Sequence, residues 1–272
     1  MSRTPTAWFT DFGQGADAPV RLFAFAHAGG GGGVFHRWGK RLADVHVLAA
    51  RLPGRESRIA EPACRVLPLL IEALAEQIAP WLDRPFAFYG HSLGGLIAYE
   101  LAHRLRVLGL RQPERLLVGA CRAPDRKSPH PKLYDLDDAG FVQGLQRYGG
   151  LQQPVLDSPE ILALLLPMLR ADFTLAQTPR PPLAQPIVVY SGTRDPLIEA
   201  DDIAAWQGHG RAGVRVHDID AGHLFHLSHE AELLSSIAGE LAAIAPAHAP
   251  RGLDSPSSQP DAPGCPWATS PN

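Results

Sequence analysis

The 272-residue chain has only three cysteines, Cys64, Cys121 and Cys265. They are odd in number, far apart and without a CxxC pair, so neither a disulfide framework nor a zinc knuckle is indicated. No apolar run approaches the roughly 20 residues of a membrane-spanning helix. The opening segment, MSRTPTAWFTDFGQG, lacks the apolar core of an export signal. An excess of one charge is missing too. With 25 Lys and Arg against 28 Asp and Glu, the net charge is −3, which gives no electrostatic case for nucleic acid or an anionic membrane. What remains is an ordinary globular composition, 45% hydrophobic and 19% charged, expected for a reduced, cytoplasmic enzyme or binding protein.

What the chain does have is a succession of short apolar, β-prone runs: Leu22–Ala26, Val45–Ala49, Phe86–Tyr89, Leu116–Ala120, Ile187–Tyr190 and Val214–Ile219. Most are continuous rather than alternating, which predicts strands buried on both faces of a parallel sheet. Helical spacing separates them. Pro68–Leu82 aligns Leu70, Leu74, Ile78 and Leu82, and Leu93–Leu108 aligns Leu93, Ile97, Leu101, Leu105 and Leu108. Alternating strand and helix predicts an α/β fold with a mostly parallel central sheet flanked by helices. Residues 122–185 break the rhythm with no convincing strand. Helix-like pieces at Ala139–Tyr148 and Pro159–Phe173 carry more leucine than one surface helix needs. This segment is expected to be a helical lid inserted into a single domain spanning 1–245, the alternative being extra helices packed permanently on the sheet. The Pro- and Ser-rich residues 246–272 are expected to be a disordered tail.

The stretch FAFAHAGGGGGVFHRW, residues 23–38, suggests a phosphate loop. Yet Gly33 is followed by Val34, Phe35 and His36, where a P-loop requires Lys and Ser or Thr, and GxGxxG fails from every starting glycine. A second segment resolves the matter. YGHSLGG, 89–95, follows the apolar run PFAF and precedes LIAYELAHRL. Strand, GxSxG and helix in that order describe a nucleophile elbow, with Ser92 on a sharp turn and small residues at Gly90 and Gly94 to avoid clashes. A serine hydroxyl needs a base, and the base needs an orienting carboxylate. Asp195 and His223 each follow a predicted strand, in the chain order Ser, acid, His. Other acids nearby, Glu199, Asp201 and Asp202, read as a helix start. Acyl transfer also needs two backbone N–H donors for the oxyanion. One is Leu93. The other falls in HAGGGGG and is assigned to Ala28, with Gly29 as its nearest competitor.

Several residues take a structural reading. His223, His226 and His229, spaced by three, could form a metal face, but no HExxH or carboxylate accompanies them. No metal is assigned, and His226 and His229 are read as packing or surface residues. His91 is read as a support of the elbow and Cys121 as a buried thiol.

At this point the chain resembles the type II thioesterases that accompany non-ribosomal peptide and polyketide synthases, members of the α/β-hydrolase superfamily. The likeness runs from about Phe23 to Leu227. It rests on FAHAGG at 25–30, LPGRESR at 52–58, YGHSLGG at 89–95, RAP at 122–124, YGG at 148–150, LLPMLRADF at 165–173, GTRDP around Asp195 and AGHLF at 221–225. Leu93 departs from a common Met, His226 from an apolar residue, and the glycine run is longer. The resemblance implies an editing hydrolase of secondary metabolism. It would release aberrant or stalled acyl groups from the phosphopantetheine arm of acyl- or peptidyl-carrier domains, acting as a monomer without a diffusible cofactor. The insertion would be the lid over the acyl and pantetheine channel. The alternatives are a carboxylesterase or acyltransferase acting on small free esters, and a catalytically dead carrier-binding protein.

Overall fold

The structure, a computed structural model, describes residues 7–12, 17–126, 132–147, 151, 153–175 and 180–246. Residues 247–272 of the expected tail and the YGG segment at 148–150 lie outside the described residues.

All six predicted runs form strands of one seven-stranded sheet. They are β2 (Val20–Phe25), β3 (Val45–Ala50), β4 (Phe86–His91), β5 (Arg115–Gly119), β6 (Ile187–Gly192) and β7 (Val214–Ile219). A three-residue strand unmarked by the sequence pattern, β1 (Phe9–Asp11), is added at one edge. The order is β1-β3-β2-β4-β5-β6-β7; β1 runs antiparallel to β3, and the other neighbours are parallel.

Side-chain alternation divides the strands between two apolar layers. Phe23, Phe25, Phe86 and Phe88 face the layer covered by α1 (Leu67–Ile78) and α2 (Leu93–Val107). Their rings meet edge to face, Phe23 with Phe86 at 5.6 Å and Phe25 with Phe88 at 5.5 Å between centroids. Leu22, Ala24, Ala87 and Tyr89 face the opposite layer, where Leu233, Ile237 and Leu241 of the C-terminal helix are buried. Each fully buried Phe or Leu contributes about 1.5–3 kcal/mol, so the continuous apolar runs follow from having a greasy layer on both sides. β7 departs from that expectation. It lies at the sheet's other edge and is largely exposed until Ile219.

Both predicted helices end earlier than their stripes. α1 stops at Ile78 because Pro80 follows, and Ala79–Trp81 continues as a 3₁₀ turn. α2 stops at Val107; Leu108 is 43% exposed, and Gly109 takes a φ of +66° beyond the cap.

Between β5 and β6 the described residues contain no strand of the sheet. α3 (Asp138–Arg147) and α4 (Pro159–Thr174) lie there. Leu133, Phe141, Leu145, Leu166, Met168 and Leu169 form a third apolar cluster, distinct from the two sheet layers. The surplus leucines of this segment therefore serve a core of its own, although Leu164 remains 61% exposed. The C-terminal helix, α5 (Glu230–Ala242), is an element the sequence reading left unmarked.

Candidate active site

The parallel register brings the carboxyl ends of β4 to β7 to one rim, where chain reversals collect side chains from distant segments. Ser92 sits between β4 and α2 with φ +54° and ψ −114°, a conformation that side chains other than glycine rarely adopt. Its N–H donates to the Gly119 carbonyl at 2.8 Å. The turn is tight enough to demand glycine on both sides. A Cβ on Gly90 would lie 2.5 Å from the Gly95 nitrogen, and one on Gly94 would lie 2.8 Å from the Ala26 carbonyl oxygen. The second contact also shows that the first turn of α2 abuts the exit of β2, next to the glycine run.

Asp195 and His223 meet Ser92 here. The His223 Nδ1 lies 2.7 Å from Asp195 Oδ2, and its Nε2 lies 3.0 Å from Ser92 Oγ. An ionised carboxylate only accepts, so Nδ1 carries the hydrogen and Nε2 is left to accept from the serine hydroxyl. The other oxygen of Asp195 accepts the Leu197 N–H at 2.9 Å, which fixes the carboxylate plane. Asp195 and His223 are nearly shielded from solvent, at 1% and 7% side-chain exposure.

Of the two amides considered in the glycine run, one is already engaged. The Gly29 N–H donates to Asp172 Oδ2 at 2.8 Å. Residues 27–30 form a turn in which the Gly30 N–H donates to the His27 carbonyl at 2.9 Å, with Gly29 at φ +82°. That φ is what a type II turn requires at its third residue, and it explains the glycine. A trans peptide points its N–H opposite its C=O. With the His27 carbonyl turned toward Gly30, the Ala28 N–H faces the other way. Among the described residues no protein acceptor engages it or the Leu93 N–H.

The remaining histidines separate. His91 is fully buried; its Nε2 donates to the His223 carbonyl at 2.7 Å, and its Nδ1 accepts from the Tyr89 hydroxyl at 3.0 Å. It thus braces the loop that carries His223 as well as the elbow. His226 is buried against His27, with its Nε2 3.0 Å from the His27 Nδ1, and among the described residues its own Nδ1 has no hydrogen-bond partner. His229 meets Ser228 Oγ at 2.9 Å. The three histidines spaced by three therefore have three different partners. Ala200–Ala204 is a short helix opening after Glu199, whose N–H donates to Asp202 at 3.1 Å. Cys121 is buried, and burial pushes its thiol up to about 12.

Burial lowers His27 from 6.5 to about 4, assisted by the neighbouring His223 and Arg55, and holds His91 and His226 well below the ordinary range. The unfolded chain therefore binds more protons than the folded one below pH 6.5. The stability these neutral rings contribute is complete above that value and is lost as pH falls through their folded values. The expected result is a melting midpoint that is flat at neutral pH and declines from 6.5 toward 4. His226→Leu should make that decline shallower, as measured by thermal unfolding across a pH series.

Sequence reasoning did not assign Arg55 or Asp172 a role, although both fall in segments quoted for the resemblance. Arg55 Nη2 and Nη1 reach Asp172 Oδ1 and Oδ2 at 2.6 and 3.0 Å, and Nη1 also donates to the Gly30 carbonyl at 2.9 Å. The signal was present. Asp172 lies three and four residues beyond Leu169 and Met168, which puts a charge on the apolar face of α4.

Residues 20–241 match the family model described as "Thioesterase domain". The chain is 32% identical to the thioesterase PikA5 of Streptomyces venezuelae, over 86% of this chain and 85% of that protein. It is 35% identical to a protein named linear gramicidin dehydrogenase LgrE, of Brevibacillus parabrevis, over 88% of this chain and 94% of that one. In fold it is similar to the type II thioesterase BorB from the borrelidin biosynthetic cluster, with a TM-score of 0.80, 28% identity, and coverage of 88% of this chain and 100% of that one. With the family model matching most of its length, the chain belongs to the thioesterase family and has the α/β-hydrolase fold.

Proposed function

We propose that the chain is a type II thioesterase that hydrolyses aberrant or stalled acyl thioesters from the phosphopantetheine arm of carrier domains in non-ribosomal peptide or polyketide synthesis. The single observation that carries this reading is the Ser92–His223–Asp195 hydrogen-bonded chain on a strained elbow, in a member of this family. His223 Nε2 takes the Ser92 proton as Oγ attacks the thioester carbonyl carbon. The Leu93 and Ala28 N–H groups face the resulting oxyanion, and Asp195 stabilises the imidazolium. The imidazolium returns its proton to the departing pantetheine sulfur. Water then adds to the acyl-enzyme with His223 as base, and the carboxylic acid leaves as Ser92 regains its proton. In this scheme the protein's own groups perform every proton transfer, and the segment 122–185 is the lid over the acyl and pantetheine channel.

The relative named as a dehydrogenase raises a redox reading. In this chain the loop after β2 reads HAGGGGGVFH rather than GxGxxG, and the Gly29 amide within it is committed to Asp172. The deciding experiment loads one carrier protein with a panel of acyl groups and follows it by mass spectrometry. Parallel arms contain a p-nitrophenyl ester, or added NADH or NADPH. The expected result is free acid and holo-carrier, with turnover independent of nucleotide. Turnover of the ester alone would favour a carboxylesterase. Nucleotide-dependent aldehyde would favour reduction.

A further inference from the structure

Arg55 and Asp172 form an almost wholly buried ion pair, 5% and 3% exposed, that joins three segments distant in sequence. Arg55 comes from the loop after β3 and Asp172 from α4. Between them lies the turn at residues 27–30. Asp172 accepts the Gly29 N–H, and Arg55 donates to the Gly30 carbonyl. The peptide groups on the far side of Ala28 are thus gripped at both a donor and an acceptor. Leu169, one turn back along α4, packs over the same spot; a Cβ on Gly29 would lie 2.6 Å from its Cδ2. α4 itself belongs to the separate apolar cluster of residues 133–169 rather than to either sheet layer. An aspartate at the end of that helix is therefore bonded directly to the turn that presents Ala28.

We propose that Asp172 is a positioning residue that sets the oxyanion amide of Ala28 from the lid, so that the oxyanion hole is complete only while α4 is seated on the turn. Lifting α4 withdraws the acceptor from Gly29 and the counter-charge from Arg55 together. The turn is then free to rotate its peptides, and Ser92 lacks an aligned second donor. The proposal rests on the acyl-transfer reading of Ser92 given above.

The test uses Arg55→Met/Asp172→Leu, which removes both charges at once and avoids leaving one buried and unpaired. Thermal unfolding reports the fold. Steady-state kinetics on an acyl-carrier protein separate kcat from KM. A trifluoromethyl ketone analogue of acyl-pantetheine, which forms a tetrahedral oxyanion on Ser92, reports the hole itself. Hydrogen exchange of peptides covering 26–31 and 159–174 reports the clamp without reference to activity. The expected result is a folded variant whose kcat falls by about 10- to 100-fold with KM nearly unchanged, since small misplacements of a donor carry penalties of that order. Affinity for the ketone should fall in proportion, and peptide 26–31 should lose protection. A folded variant with wild-type kcat overturns the proposal, as does a fall in kcat with ketone affinity and exchange unchanged. If the double variant does not fold, Asp172→Asn carries the same measurements. It retains one acceptor oxygen, so the same changes are expected at smaller size, and wild-type values overturn the proposal. If the wild type turns over only free esters, the thioester reading falls, while the same comparisons on an ester still decide the role of Asp172.

Discussion

Ser92→Ala is expected to cut kcat on an acyl-carrier substrate by about 10⁶-fold, the size of loss seen when a member of a cooperating triad is removed. The hydroxyl is the atom that His223 Nε2 faces at 3.0 Å, and removing it leaves the base with nothing to deprotonate but water. The elbow should survive, because its geometry depends on the Ser92 backbone and on the close approach at Gly90 and Gly94 rather than on Oγ. Adding His223→Ala should then cost little more, since the two groups act as one unit. Stopped assays with acyl-carrier protein, backed by fluorophosphonate labelling of Ser92 in the wild type, measure this. A folded Ala variant that still turned over the carrier near the wild-type rate would remove Ser92 from the chemistry.

Asp195→Asn should lower kcat by about 10⁴-fold while leaving the melting midpoint close to that of the wild type. The surroundings dictate how the new amide must sit. The Leu197 N–H, now bonded to Asp195 Oδ1 at 2.9 Å, requires an oxygen at that position. The amide nitrogen is then turned toward His223 Nδ1, where it donates instead of accepting. The ring is forced to carry its hydrogen on Nε2, facing Ser92, and can no longer take a proton there. Steady-state kinetics measure the loss, and the Nδ1 proton resonance of His223 should disappear in the variant. Activity within tenfold of the wild type would mean that Asp195 does not set the tautomer.

Much of this arrangement was legible because the signals were local. Apolar runs marked both ends of β2 to β7 to within two residues, and the glycines of YGHSLGG mark a turn that the positive φ of Ser92 makes explicit. β1 escaped notice because Phe9–Asp11 offers three residues of pattern and owes its existence to pairing with β3. The exposed face of β7 was hidden for a related reason. Whether a strand lies at an edge depends on sheet order, which no single run encodes. Ala28 and Gly29 could not be separated in the sequence because their amides differ only in which acceptor lies nearby, and that acceptor is supplied by Asp172, 143 residues further on. His226 shows the opposite case. Its lone position in an apolar pattern was visible, but only the fold shows the buried ring paired with His27.

The two margins of the sheet discourage self-association in different ways. On one side β1 offers only three residues for another strand to pair with. On the other, β7 is solvent-facing and carries Arg215 and Asp218, and Arg215 is tied back to Glu240. A short margin and a charged one are both poor templates for edge-to-edge growth. The enzyme can therefore be abundant without its sheets joining into ribbons.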